Sequence, residues 1–185
     1  MATRNQIDLN LSGQTGTGSF VGSNSPTLVT PTLGVSSATS INFGGNALSN
    51  YLQGTWVSTI TFATPGDLSV VYTTQTGVYT RIGDIVLAQF QLNCTPTYTT
   101  ASGQFQVAGL PLSAANSNDT GAISIQTVGV VYPAGCTKLV FTSTAAASVL
   151  SFVGLGSAVA SAPLTTVGVP SGTVLQISGS ILYHV

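Results

Sequence analysis

Few side chains in this sequence can carry out acid, base or nucleophilic chemistry. The whole supply of carboxylates and imidazoles is Asp8, Asp67, Asp84, Asp119 and His184, with no Glu. Hydrolysis of a glycan needs two carboxylates that flank one bond. Asp67 follows Pro65-Gly66 and Asp84 follows Gly83, which are typical positions for turn residues. We therefore predict no catalytic residue and no enzymatic activity.

Nucleophilic and cofactor sites are disfavoured for similar reasons. A Ser-His-Asp triad would depend on His184, next to the last residue of the sequence, and no Gly-x-Ser-x-Gly elbow occurs. Gly16, Gly18 and Gly22 lack the spacing of a dinucleotide-binding loop, and no Gly-Lys-Ser/Thr follows them. We predict no bound cofactor.

Metal binding and disulfide formation are also expected to be absent. Structural zinc takes four Cys or His ligands, more than Cys94, Cys136 and His184 supply. Residues 1–11 contain no apolar signal segment, which predicts folding in a cytoplasm with both cysteines reduced, although the two could in principle pair. Asn116-Ser-Asn118-Asp119 offers oxygen ligands for calcium, but its low charge favours a solvated loop.

The composition indicates a folded protein that associates with itself. Only 4% of residues are charged, against about 25% in typical proteins, while 43% are hydrophobic and the net charge is -1. So little charge leaves little repulsion between copies. Arg4, Arg81 and Lys138 stand too far apart to bind nucleic acid. Polar residues interrupt every apolar run before the roughly 20 residues that a membrane-spanning helix needs.

Residues 1–45 are predicted to form an extended N-terminal arm. The stretch from 12 to 40 is rich in Gly, Ser, Thr and Pro and cannot build its own core. Pro26 and Pro31 favour an extended backbone. We expect the apolar residues of this stretch to pack on sister chains or to dock elsewhere; they include Phe20, Val21, Leu28, Val29 and Leu33.

Residues 46–185 are predicted to form an antiparallel β-sandwich head of jelly-roll-like type. Residues 85–94 alternate between apolar and polar side chains, and Gly83-Asp84 closes a tight hairpin with residues 78–82. No segment shows a sustained helical period with caps. The other predicted strands are 55–62, 68–73, 104–108, 123–131, 139–142, 149–153, 158–160 and 173–183. Short strands at this spacing indicate an all-β sandwich.

Two motifs resemble a module at the C-terminal end of phage tail fibres and tail spikes. They are Gly54-Thr55-Trp56 and the run from Tyr72 to Val86. Gly109-Leu110-Pro111, the segment 177–183 and the glycine-rich phrase 16–34 agree with the resemblance, which covers about residues 48–185. Leu52-Gln53 depart from it, since that position is commonly acidic. The resemblance implies a β-sandwich head, threefold self-association, a place on the virion, sometimes receptor contact, and no catalytic site.

These observations together predict a small trimeric fibre subunit of a phage particle. The protein would assemble in the host cytoplasm, reside in the virion as a homotrimer, and contact other virion proteins through its N-terminal arm. The alternative from a different functional class is a capsid decoration protein that stabilises the coat. A tail-associated depolymerase is a third alternative, which the scarcity of titratable side chains disfavours.

Neutral loops that carry an aromatic ring are the candidate contacts with a host glycan or protein. Sugars offer hydroxyl groups for hydrogen bonds and ring faces for stacking. The candidate residues are Tyr98, Asn116, Asn118, Asp119 and Tyr132. The competing interpretation is that the tyrosines cover an edge of the sandwich or a contact between subunits.

Overall fold

A computed structural model describes residues 41–43, 46–48, 50–115, 122–143 and 146–185. The arm residues Phe20, Val21, Leu28, Val29 and Leu33 lie outside the described residues, as do Asn116, Asn118 and Asp119. The described part of the chain contains β-strands and connecting loops but no helix. In particular, it contains no helix with the length and apolar character needed to span a membrane.

Twelve strands occur within the described residues. They are β1 (Ile41–Phe43), β2 (Asn46–Leu48), β3 (Leu52–Thr55), β4 (Thr59–Thr64), β5 (Ser69–Ile82), β6 (Ile85–Thr97), β7 (Ser102–Ala108), β8 (Ala122–Val128), β9 (Lys138–Ser143), β10 (Val149–Leu155), β11 (Ala162–Pro163) and β12 (Leu175–His184). β1 and β2 pair as a separate antiparallel hairpin across the predicted boundary between arm and head.

Ten strands form two antiparallel sheets. Sheet I has the order β3-β5-β6-β12-β8. In sheet II, β10 lies between β9 and β7, and β4 lies beyond β7. The short β11 enters between β10 and β7, where Leu164 N donates to Phe152 O and Phe105 N donates to Leu164 O. Two five-stranded sheets confirm the predicted all-β, antiparallel sandwich.

Alternation along β6 determines which way sheet I faces. Val86, Ala88, Phe90, Leu92 and Cys94 are buried, whereas the residues between them are exposed or half-buried. Side chains two residues apart share one face of a strand, so the buried set faces sheet II. The tight turn that joins β5 to β6 is the predicted one, with Gly83 at φ +64°, a backbone conformation that glycine adopts without a steric penalty.

Aromatic rings link the two sheets through the core. Phe90 of sheet I lies 5.7 Å from Phe141 of sheet II, measured between ring centroids, and the Phe141 ring meets that of Phe152 at 4.7 Å, edge to face. Edge-to-face and tilted pairs stabilise a core beyond their buried area. The contacts form one continuous series of rings: Trp56, Phe90, Phe141, Phe152, Phe105, Phe62 and Tyr98.

Three strand predictions are wrong in detail. Residues 68–73 and 78–82, predicted as separate strands, both belong to β5 apart from Leu68. Residues 55–62 do not form one strand: β3 ends at Thr55 in sheet I and β4 begins at Thr59 in sheet II. The chain crosses between the sheets there, although Trp56, Ser58, Ile60 and Phe62 are buried as their alternation predicts. Residues 158–160 form a turn in which Ala158 has φ +57°, and the nearby strand is β11.

Candidate functional site

The two motifs that resemble a phage fibre module pack against each other. Gly54 pairs with Tyr79 across β3 and β5, and a β-carbon on Gly54 would meet the Tyr79 ring at 2.8 Å. A β-carbon on Gly77 would lie 2.6 Å from Trp56 O and 2.7 Å from Trp56 Nε1. Each glycine therefore leaves room for an aromatic residue of the other motif, which gives the motif spacing a packing explanation.

The indole of Trp56 is held by backbone carbonyls of sheet I. Its Nε1 donates to Gln89 O at 3.1 Å and is 3.3 Å from Val78 O, while Trp56 N donates to Gly77 O. The ring is 7% exposed and meets Phe90 edge to face. A buried indole N–H needs such a partner. The motif thus forms part of the sandwich rather than an open reaction site.

Asp67 links the turn between β4 and β5 to a neighbouring loop by hydrogen bonds. Its carboxylate accepts hydrogen bonds from the backbone N–H and the hydroxyl groups of both Thr99 and Thr100. These donors, with the Thr99 hydroxyl contributing most, hold the pKa of Asp67 well below its ordinary value because they favour the ionised form. The carboxylate ties its own turn to the loop after β6.

Of the other ionisable side chains in the described residues, Arg81, Asp84 and His184 lie at or beside the β5–β6 hairpin. Asp84 occupies the tip of the β5–β6 hairpin, where Arg81 Nε donates to Gly83 O. Both cysteines are free, and burial raises the pKa of Cys94 to about 11. Across the residues that the structure covers, no group of three or more His, Cys, Asp or Glu side chains could hold a metal ion.

Tyr98 and Tyr132 lie at the same end of the sandwich, which we call the tyrosine end. It consists of the loops 65–68, 97–101, 129–137, 156–161 and 164–174. The Tyr98 hydroxyl donates to the 164–174 loop, where the carbonyls of Thr166 and Val169 are its acceptors. Val131, beside Tyr132, donates its N–H to Gly168 O of the same loop. Both candidate tyrosines are thus brought to one loop.

The two tyrosines differ in how much surface they offer. Tyr98 packs edge to face on Phe62 at 5.1 Å, and burial raises the pKa of its hydroxyl. Tyr132 is 39% exposed, and its hydroxyl lies 3.4 Å from Thr127 Oγ1. The geometry of Tyr98 fits the alternative in which it covers the sandwich edge, whereas Tyr132 is open to a ligand.

The segment that leads to Asn116, Asn118 and Asp119 starts at the opposite end. Leu112 O accepts a hydrogen bond from Tyr183 Oη, and Ala115 N donates to His184 O, close to the β5–β6 hairpin. We call this the hairpin end. The candidate receptor residues therefore do not form one described site: two lie at the tyrosine end, and the other three fall outside the described residues.

Sequence reasoning missed the outer face of sheet I, which faces away from sheet II. Two shallow adjoining grooves cross it and share Gln91 and Ser178. The strand register brings Thr76, Gln91, Ser178 and Gln126 side by side from four strands. The alternation in the sequence of β6 predicts that its polar residues share one face. Only the strand register shows which residues of the neighbouring strands lie beside them on that face.

Comparison with known proteins adds no relative. No protein-family model matches the chain, and neither a curated protein nor a solved structure matches it. The resemblance to phage fibre modules therefore depends on the motif residues alone.

Proposed function

We propose that this chain is a non-enzymatic structural protein of a phage particle, a small fibre subunit that assembles as a homotrimer. In this proposal the sandwich is the head of the fibre and the arm at residues 1–45 contacts other virion proteins. The protein assembles in the host cytoplasm and resides in the virion.

One observation carries the proposal: large apolar side chains are exposed on a protein that has almost no charge. Among the described residues, fourteen large hydrophobic side chains are exposed, whereas the whole chain has three basic and four acidic residues. Scattered exposed hydrophobics are normal, but contiguous ones mark contacts. Contacts between copies would bury these exposed hydrophobic side chains, which is the kind of contact that holds a structural assembly together.

The carboxylates in the described residues support a structural role rather than a catalytic one. Asp67 is engaged by four donors of Thr99 and Thr100. Asp84 lies in the hairpin turn of the resembling motif. Glycoside chemistry would need such carboxylates to face one bond from two sides.

Host contact is proposed for the tyrosine end, through Tyr132. Its ring stands on a loop that Val131 fastens to Gly168 by a 2.8 Å backbone hydrogen bond. A ring that is held in place loses little conformational freedom when a sugar or a protein side chain packs on it. The partner is a neutral glycan or protein surface of the host.

Particles that lack this chain test the proposal. A fibre subunit predicts particles that assemble but adsorb poorly to the host. A capsid decoration protein predicts normal adsorption together with loss of resistance to heat or osmotic shock. The proposal of a virion structural role fails if neither property changes, and a loss of stability alone would favour decoration over the fibre.

A further inference from the structure

The outer face of sheet I carries a cluster of aliphatic side chains near the hairpin end. We call it the hairpin patch: Val78, Ile82, Ile85, Leu87 and Leu182. Val78, Ile82, Ile85 and Leu182 are between 39% and 51% exposed. Ile82 pairs with Ile85, and Leu182 with Leu87, so three adjacent strands contribute to one continuous patch.

The remainder of the same face is polar, and His184, opposite Ile85, is the one ionisable side chain at an outward-facing paired position of β5, β6, β8 or β12. Gln89, Gln91, Asn93, Gln126 and Gln176 line its grooves together with Ser and Thr hydroxyl groups. In β5, β6, β8 and β12, the paired residues whose side chains point away from sheet II include no Asp, Glu, Lys or Arg. Arg81 pairs with Val86 and belongs to the other face. Apart from His184, this face therefore presents no ionisable group that a partner has to match.

We propose that a second copy of this chain covers the outer face of sheet I, an inference that rests on the proposed self-assembly. Five strands about 4.8 Å apart, with the ten residues of β12 at about 3.4 Å each, make a face of about 24 by 34 Å. That is on the order of 800 Å² of each subunit, the area that one protein contributes to a standard interface, and in a trimer it is shared between the two neighbouring copies.

The chemistry of the outer face of sheet I favours a second copy of this chain over a charged partner or a sugar. An amide both donates and accepts hydrogen bonds, so the Gln and Asn side chains of one copy can pair with those of the next copy. A charged partner would lose hydration without gaining an opposite charge. The patch is aliphatic, and it lacks the aromatic ring on which a sugar stacks. Aliphatic side chains together with self-complementary amides match a second copy.

Threefold symmetry constrains how the copies meet. In a ring of three, each contact joins two different areas of neighbouring subunits. If the outer face of sheet I turns toward the shared axis, its β5 side in one copy meets the β12 side in the next. Val78 and Leu182, on β5 and β12, are then on opposite sides of the contact.

Charged substitutions in the hairpin patch test the inference. Leu182→Glu and Val78→Glu each place a carboxylate where the proposed contact excludes water, and we expect the subunit dissociation constant to rise by on the order of 100-fold or more. Val167→Glu is the matched control, because Val167 is 81% exposed on a loop of the tyrosine end. The readout is the mass of the full chain by analytical ultracentrifugation, with circular dichroism to verify folding.

The outcomes separate this inference from the proposed function. Folded monomers of both patch variants, with an oligomeric control, support it. An oligomeric wild type whose folded patch variants remain oligomeric overturns the inference but leaves self-assembly intact. A monomeric wild type overturns both.

Hydroxyl-radical footprinting of the wild-type oligomer covers the case in which a variant fails to fold. We expect at least tenfold slower labelling of Leu182 and Ile85 on assembly, and unchanged labelling of Val167. Equal labelling of Leu182 in monomer and oligomer would refute the proposed contact.

Discussion

Replacing Gly77 by alanine tests the packing of the two motifs directly. The new β-carbon would lie 2.6 Å from Trp56 O, 2.7 Å from Trp56 Nε1 and 2.8 Å from Trp56 Cδ1, all well inside contact distance. The indole has to move, which overpacks the core at a cost of about 1–3 kcal/mol. Its hydrogen bond to Gln89 O weakens as well, at about 1 kcal/mol. We expect a destabilisation of about 2–4 kcal/mol.

Trp56 is the only tryptophan, so it reports its own displacement by fluorescence. We expect denaturant unfolding of Gly77→Ala at lower concentrations than wild type, with red-shifted native emission, at one fixed protein concentration. Val57→Ala, next to Trp56 and 65% exposed between β3 and β4, is the control and should stay within about 0.5 kcal/mol of wild type. Gly77→Ala with wild-type stability and emission would refute the motif packing.

Three further substitutions test single contacts. Asp67→Asn should lower the melting temperature at neutral pH. Because the folded pKa of Asp67 lies below its ordinary 3.8, the carboxylate stabilises above that pH, so the difference should shrink in scans toward pH 2; a constant difference would contradict this. Tyr98→Phe removes the donor to the 164–174 loop and should cost about 1 kcal/mol, with faster hydrogen exchange in that loop; unchanged exchange would count against it. Ser58 Oγ is buried without a hydrogen-bond partner, so Ser58→Ala should be neutral or stabilising by up to about 1 kcal/mol in urea unfolding, and a loss above 1 kcal/mol would show an unrecognised partner.

Local patterns were sufficient to predict the class of the fold. The alternation in β6 and the Gly83-Asp84 turn depend on neighbours in sequence, and both occur as predicted. The prediction of a strand at residues 158–160 was wrong because so short an apolar run is also compatible with a turn. Ala158 adopts a positive φ there. In residues 55–62, every second side chain is buried although the segment spans the end of β3 and the start of β4. The regular alternation therefore predicted one strand and gave no sign that the chain crosses from sheet I to sheet II.

The proposed contact surfaces could not be predicted from sequence because they depend on pairing between distant strands. The outer face of sheet I joins Thr76 to Gln91 and Gln91 to Ser178, residues that only the register of β5, β6 and β12 brings together. Likewise, Tyr98 and Val131, the neighbour of Tyr132, both donate hydrogen bonds to residues 166–169. The candidate tyrosines were identified as aromatic rings in neutral loops, but only the structure shows that the Tyr98 ring packs on Phe62 while Tyr132 is 39% exposed.

Sedimentation equilibrium of the purified full chain, at micromolar concentration and in both low and high salt, tests the central claim most directly. The subunit mass is 18.7 kDa, so a homotrimer has three times that mass, about 56 kDa. The account predicts this mass in both buffers, because salt weakens interactions between charges and the proposed contacts are formed by uncharged side chains. A species of 18.7 kDa at these concentrations would contradict it.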